Sequence, residues 1–545
     1  MDFRIADLNF GKVNCVDGGK LTIKAESLRN AYCDTTLNVE VGAFINCGGF
    51  HGDTICTITR VLIEEIERRE SVIENKIVEV AIVGSINSQQ EFTRGVDKLP
   101  SISCDAYLLN GEQVNHLLGI RETEEEKKYF KVGKRSMTGA GDAYLNLDKL
   151  LGRHTAIVGT TGSGKSSTVA TIVQSILQSY PYPRIIFFDI HNEYKNAFSG
   201  QWKEKANCIS WDSFSLPYWF LDLEEFISIY YPEAGGTQKM YIKEIIESLK
   251  KNAVDGVEKD RISVDSPIFF KMEDLIRGIE GRRDTETTAS KRDPFDKLLL
   301  KFLNIHNDSR YSFLKASMEE EISLSAYFKF LLGLDIGNEK YISVLDLSGL
   351  PAEVRTICVG VLTRLCFDYR YWDMDPEHLP VALILEEAHT YIPEENSSKY
   401  SLCLERVEKV AKEGRKYGLS LIVVTQRPSS ISSTVLSQCG TFITLRLTND
   451  LDQNKIKRLL PDTLGDQADM LSTLRDGEAL ITGDALSLPG KVQFDLPNPQ
   501  PKSNDVRFHK SWKEGPPPGY NVEEVSNWWI KGERNRASNG DEDIQ

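Results

Sequence analysis

Between about residues 130 and 497, short, mainly apolar runs recur along the chain. They fall at 156–158, 185–190, 341–347, 381–385, 420–425 and 441–445. Runs this short, without polar alternation, predict strands buried on both faces. Helical patterns separate several of them. That alternation predicts an α/β domain built on a mostly parallel sheet. The stretch 222–335 breaks the pattern. Segments 223–230, 239–250, 272–278 and 295–303 have helical spacing and are joined by polar linkers, so this part predicts a helical insertion. The first 120 residues show a different period. Alternating runs at 20–24, 37–41 and 77–83 lie among turn signals such as Gly18-Gly19 and Gly48-Gly49. Short strands of this kind predict a small β-barrel or sandwich. Residues 498–545 are rich in proline and polar residues. Pro516-Pro517-Pro518-Gly519 excludes regular structure there. The end, 539–543, has the composition of a disordered segment. Trp512, Trp528 and Trp529 do not suit a free tail and predict packing on the body or on a neighbouring subunit.

Charge and cysteine usage narrow the class. The 545 residues carry a formal net charge of −15. That argues against a surface coated in basic residues for nucleic acid, but a narrow basic channel inside a ring remains compatible with it. No run approaches the ~18–20 apolar residues of a membrane span. The N-terminus lacks the basic-then-apolar pattern of a signal peptide. The ten cysteines include no C-x-x-C pair. Together these features predict a cytoplasmic protein with reduced thiols and no membrane partner. The charged run 122–128 reads as a solvated connector.

Chemistry concentrates at the ends of the apolar runs. After 156–158 comes Gly159-Thr160-Thr161-Gly162-Ser163-Gly164-Lys165-Ser166, a complete G-x-x-x-x-G-K-[ST] loop. Glycines let backbone N–H groups turn inward around phosphate oxygens, and the N-terminus of the following helix, from Ser167, adds positive potential. In this motif Lys165 reaches the β- and γ-phosphates of a nucleotide and the Ser166 hydroxyl ligates Mg²⁺. The run 381–385 leads into Glu386 and Glu387. Two carboxylates at the C-terminal end of a buried strand suit a hydrolase, with Glu386 facing the Mg²⁺ shell and Glu387 polarising the attacking water. Taken alone, the pair also suits a helix cap. Asp189, His191 and Glu193 stand at the exit of the run 185–190, near the nucleotide, and are candidates to contact it; a polar loop with an Asx-turn is an equal reading. Gln426 ends a third run and is a candidate sensor of the γ-phosphate or attacking water. Arg415, after Gly414 in a short helix-to-strand loop, is placed to project, although a single arginine more often makes a surface ion pair.

The ordered set GTTGSGKS, DIHNEY, ILEEAH, EGRKYG and VVTQRPS resembles the HerA family. These are hexameric DNA-translocating ATPases in the FtsK-like branch of the RecA-like P-loop fold. Smaller matches at 215–219, 308–313, 436–439, 477–481 and 488–489 agree with it. The resemblance spans roughly residues 5–500. It implies an N-terminal barrel of the HAS type over 1–120 and a RecA-like ATPase domain over 130–497. It also implies ATP and Mg²⁺ as ligands and assembly into a homohexameric ring around double-stranded DNA. By the resemblance, Lys165 and Ser166 bind phosphate and Mg²⁺, and Glu386 completes the metal shell. Glu387 is the catalytic carboxylate, Gln426 the sensor and Arg415 an arginine lent to a neighbour. Arg153 and Arg446 are second candidates near the γ-phosphate. The family works with a docked nuclease of the NurA kind or, in antiviral defence, with effectors such as sirtuin-like enzymes; DNA end processing in repair is its other setting. No second catalytic centre is legible in the chain, so such chemistry falls to a partner. The competing expectation is an ATP-regulated ring scaffold that assembles and switches an effector.

Overall fold

The computed structural model describes residues 3–531, apart from 6–7, 26–38, 50–51, 69–70, 88–91, 118–127, 137–140, 212, 255–257, 315–321, 335–339, 396–399, 461–468, 487 and 503–507. The connector 122–127 and the segment 539–543 therefore lie outside the described residues.

Alternating burial closes the N-terminal strands on themselves. These are β1 (Asn9–Asp17), β2 (Lys20–Ala25), β3 (Phe44–Gly49), β4 (Gly52–Arg68), β5 (Ser71–Ile86), β6 (Phe92–Arg94) and β7 (Asp105–Leu108). The order is β2-β1-β7-β3-β4-β5, and β5 pairs back onto β2. That makes a closed six-stranded barrel with β6 added at the end of β5. Its core takes the inward positions: Val13, Leu21, Ile23, Ile45, Ile58, Val78 and Val80. Of the expected strand at 37–41, residues 39–41 form no strand and the rest lies outside the described residues.

The second sheet has eleven strands in the order β12-β13-β11-β14-β15-β10-β16-β17-β18-β8-β9. They are β8 (Tyr129–Arg135), β9 (Asp142–Asn146), β10 (Thr155–Val158), β11 (Ile185–Asp189), β12 (Ala206–Ile209), β13 (Ile342–Asp346), β14 (Val381–Leu385), β15 (Leu419–Thr425), β16 (Thr441–Thr444), β17 (Glu478–Gly483) and β18 (Gly490–Phe494). From β12 to β16 every pairing is parallel. Beyond β16 the sheet continues antiparallel. Strands β10, β14 and β15 are buried at every position, as mainly apolar runs predict.

Five helices between β12 and β13 form the insertion: Leu223–Tyr230, Gly236–Asn252, Met272–Thr285, Ala289–Asn307 and Leu324–Leu332. An ion-pair cluster ties its start to the sheet domain. Arg364 grips Glu225 bidentately at 2.7 and 2.8 Å, and Arg406 reaches Asp222 at 2.7 Å. Arg94 of the barrel meets Asp484 at 3.0 Å, and Leu488 enters the small core of Phe3, Phe44 and Ile55.

The segment 498–502 is fixed along the sheet domain. Asn498 O accepts from the Trp202 indole, Pro499 O from Gln174, and Lys502 N donates to Glu193 O at 2.8 Å. Two further helices follow, Phe508–Glu514 and Val522–Lys531. Their Trp512 and Trp529 are 81% and 87% exposed. The prolines at 516–518 fall between the two helices, where they break neither. Among the described residues no helix is long and apolar enough to cross a membrane.

Candidate nucleotide-binding site

Strand register builds the site. Val158 at the end of β10 pairs with Thr425 of β15 on one side and Thr444 of β16 on the other. Leu385 of β14 pairs with Val423 of β15 and Phe188 of β11. Parallel strands in this register release Gly159, Asp189, Glu386, Gln426 and Leu445 along one edge of the sheet. Ligands of open α/β sheets bind at such an edge.

The loop itself depends on backbone that only glycine adopts easily. Gly162 and Gly164 have φ of 76° and 89°. A Cβ on Gly164 would also lie 2.7 Å from the backbone nitrogen of Gly477. Thr160 N and its hydroxyl both donate to Arg446 O at 2.9 Å, and Gly477 N donates to Ser163 O at 2.9 Å. The helix Lys165–Ser179 starts directly from the loop, with Ser167 half-buried in its first turn. This cradle suits a polyphosphate. Its first-turn N–H groups have no side-chain cap, and the Ser163 hydroxyl is buried without a hydrogen-bond partner.

Carboxylates face the loop. Lys165, 7% exposed, places Nζ 2.7 Å from Glu387 Oε1 and 3.9 Å from Glu386 Oε1. Gln426 donates its amide to the same Glu387 oxygen and accepts from the Thr161 hydroxyl. Burial acts to raise the Glu387 carboxyl, but the Lys165 charge and the hydrogen bonds from Lys165 and Gln426 outweigh it and hold it below the usual range. Glu386 differs. Burial pushes it up to about 8 despite Lys165. Its Oε2 accepts from the buried Tyr194 hydroxyl at 3.0 Å. Burial thus favours the neutral form of Glu386, where Lys165 favours the charged one. The Ser166 hydroxyl donates to Glu193 at 2.8 Å. Ser166, Glu193 and Glu386 are oxygen donors at one end of the loop, the donor type Mg²⁺ takes. When bound, Mg²⁺ supplies neutralising charge at the β- and γ-phosphates.

The other sequence candidates divide. Asp189 builds its loop, as an Asx-turn does: its oxygens accept from the amides of His191, Glu193 and Tyr194 at 3.2, 3.3 and 2.9 Å. It is not free to meet a phosphate directly. His191 is exposed beside it. Arg446 joins the loop: its guanidinium pairs with Asp476 at 2.8 Å and reaches Gly162 O at 3.5 Å. Arg153 does not join its own chain's site. It precedes β10, so the full strand separates it from the loop, and it pairs with Asp484 at 2.8 Å. Arg415 also lies at that far edge, in the turn Gly414–Tyr417 before β15. Both arginines line a polar cleft of about 410 Å³ together with Lys412 and Lys416. Arg415 is exposed and has no ion-pair partner among the described residues. Sequence reading did not pick out Tyr194 or Thr161 as partners of the carboxylate and the sensor; only the strand register reveals them.

Several known proteins are similar to this chain. The model of the HerA helicase central domain matches residues 130–366. The DNA double-strand break repair helicase HerA of Sulfurisphaera tokodaii is 26% identical over 387 residues, which is 69% of this chain and 72% of that protein. The probable DNA double-strand break repair helicase HerA of Methanocaldococcus jannaschii is 26% identical over 483 residues, 81% and 89% of the two chains. Among solved structures, VirB4 of Thermoanaerobacter pseudethanolicus aligns with a TM-score of 0.46 and 15% identity, over 71% of this chain and 99% of that one. The domain model falls on the part of the chain that holds the phosphate loop, and the M. jannaschii similarity extends over most of the length, so residues 130–366 of this chain are similar to the HerA helicase central domain.

Proposed function

We propose that this protein is a ring-forming, Mg²⁺-dependent ATPase, six copies to a ring, that drives double-stranded DNA through its pore. One observation carries the reading: the Lys165, Glu387 and Gln426 cluster sits at one edge of the sheet, while the unpaired Arg415 sits at the other. A chain that carries a phosphate site on one edge and a spare cationic group on the opposite edge suits head-to-tail assembly, in which each site borrows from its neighbour. In this reading Lys165, Ser166 and the backbone from Gly159 to Ser167 hold the phosphates. Ser166 and Glu386 hold Mg²⁺, with Glu193 and His191 bordering it. Glu387 takes the proton of the attacking water, Gln426 senses the γ-phosphate, and Arg446 steadies the loop in its own chain. Arg415, with Arg153 beside it, faces the neighbour's nucleotide. Kinship with repair helicases supports DNA as the translocated polymer. The motor then powers a separate nuclease or effector chain, in end processing or in defence. The cytoplasm is the setting that fits.

The decisive experiment measures ATP turnover with and without duplex DNA across a salt series. Turnover is expected to rise severalfold with DNA at about 50 mM salt and to lose most of that stimulation by about 200 mM, as phosphate contacts are screened. ATP hydrolysis indifferent to DNA at every salt concentration would instead favour the ring scaffold that switches an effector.

We further assign the tail as a brace on the adjacent subunit. It leaves the body beside Glu193, at the nucleotide edge where the neighbour is placed, and it carries exposed Trp512 and Trp529. Large aromatic anchors of this kind bind well when buried in a partner. Truncation after residue 502 is expected to shift the ring towards smaller species in sedimentation at micromolar concentration. Unchanged ring stability in the truncated chain would remove the brace from this reading.

A further inference from the structure

The backbone reverses at the carboxylate pair. Glu387 has φ 47° and ψ 45°, a left-handed conformation uncommon for a residue with a long side chain. The reversal is held in place. Thr390 donates both its N–H and its hydroxyl to Glu387 O at 2.9 Å, and the Tyr391 hydroxyl donates to Glu386 O at 2.8 Å. One turn of 3₁₀ helix, Ala388–Thr390, follows, and it folds the His389 ring back over Glu387. Strain of this order persists only where surrounding contacts enforce it, and it concentrates at functional sites.

The two oxygens of Glu387 have unequal surroundings. Oε1 receives both Lys165 and Gln426. Oε2 is buried and accepts no hydrogen bond, although His389 Nδ1 lies 3.3 Å away. A buried carboxylate oxygen without a donor is costly. His389 Nδ1 is also 3.1 Å from the Thr425 hydroxyl, which accepts the Arg427 N–H at 3.0 Å. Thr425 is fully buried at the end of β15, so it anchors the ring at a fixed place.

Occupancy of the site by nucleotide changes which groups hold Glu387. The β- and γ-phosphates of a bound nucleotide compete with Glu387 Oε1 for Lys165 Nζ. When the lysine turns to phosphate, Gln426 alone remains on Oε1. Among the described residues, His389 is the donor that lies beside Oε2. Burial lowers the His389 pKa, and Arg427, Lys165 and His191 act in the same direction against Glu387. The imidazole is therefore neutral, with a single N–H to donate.

We propose that His389 is a positioning residue: its Nδ1–H holds Glu387 Oε2 and so orients the catalytic carboxylate once Lys165 has engaged the nucleotide. This rests on the reading of the site as an ATPase centre. It adds a residue that neither the phosphate-loop motif nor the carboxylate pair identifies.

Three substitutions separate positioning from simple packing. Asparagine places an amide where Nδ1 stands, whereas glutamine places it where Nε2 stands. His389→Ala is expected to lower kcat for ATP by about 10- to 100-fold, the scale of a misplaced reacting group, with KM within about threefold of the native value. His389→Asn is expected to recover at least about a third of native kcat, and His389→Gln to remain near the alanine level. The dissociation constant of a non-hydrolysable ATP analogue, measured on all three, reports whether the loop is intact. If the alanine variant fails to bind the analogue, the asparagine and glutamine pair decides the matter. Asparagine and glutamine variants of equal activity, or an alanine variant within about threefold of native kcat, overturn the proposal. Absence of ATP turnover in the native protein overturns the ATPase reading itself, a different and separately visible failure.

Discussion

Glu387→Gln is expected to slow ATP turnover by about a hundred- to ten-thousandfold, the range for a lost general base, while ATP still binds. The geometry explains why the two effects separate. Glu387 touches Lys165 and Gln426, not the backbone of the phosphate loop. Glutamine keeps the shape and an acceptor oxygen but cannot take a proton from water. In the nucleotide-free protein Glu387 also holds Lys165 by charge at 2.7 Å. Removing that charge frees the lysine for phosphate, so affinity for ATP is expected to stay the same or to tighten. Equilibrium binding of ATP and steady-state turnover, measured on the same preparation, test both halves. A variant that binds poorly but turns over normally per bound nucleotide would mean that Glu387 holds the ligand instead of activating water.

Glu386→Gln acts at a different atom, and the contrast shows what two adjacent carboxylates contribute. Glu386 is buried against Tyr194 and its pKa is raised by burial, whereas the Lys165 charge and the hydrogen bonds from Lys165 and Gln426 lower that of Glu387. Environments that push two carboxylates in opposite directions assign them different roles. The carboxylate held in its charged form, Glu387, is the one suited to act as a base.

Much of this was legible before the structure, for a physical reason. Strands β10, β14 and β15 are buried on both faces, so their sequences are mainly apolar and their C-terminal ends are marked by the change to polar residues and glycine. That exposes Gly159, Glu386 and Gln426 together. Strand β12 was not visible, because its short sequence includes Asn207 and Cys208 at less buried positions. The antiparallel extension β17-β18-β8-β9 also escaped notice, since pairing between residues 133 and 494 leaves no local signal. Arg153 shows that closeness along the chain does not place a residue at its own chain's site. It is close to the phosphate loop along the chain, but β10 lies between them, and a strand carries its two ends to opposite edges of the sheet. His389 was hidden for a similar reason. Its partner Thr425 is distant in sequence and is brought near only by the pairing of β14 with β15.

The same strand logic yields a sharp expectation for Arg415. Strand β15 begins just after the Arg415 turn and ends one residue before Gln426, the proposed sensor. Its seven buried residues separate the two groups by about 23 Å, too far for one side chain to serve the other's site. Arg415 therefore acts on a neighbour's nucleotide or on none. Arg415→Ala is expected to bind ATP nearly normally yet hydrolyse it at least about a hundredfold more slowly, since an arginine lent in trans stabilises charge only in the transition state. Lys165→Ala is expected to lose turnover through weakened nucleotide binding, because its charge belongs at the β- and γ-phosphates. Mixing the two variants makes the claim specific. A boundary with Lys165 from an Arg415→Ala subunit and Arg415 from a Lys165→Ala subunit is complete, and about a quarter of boundaries in randomly mixed rings have that composition. Turnover should reappear on mixing, up to about that fraction of the native rate if sites fire independently. An arginine serving its own chain predicts no recovery, because neither subunit type then holds a whole site. Verified mixed rings that stay inactive would refute the assignment in trans and move Arg446, already at the loop of its own chain, to the front.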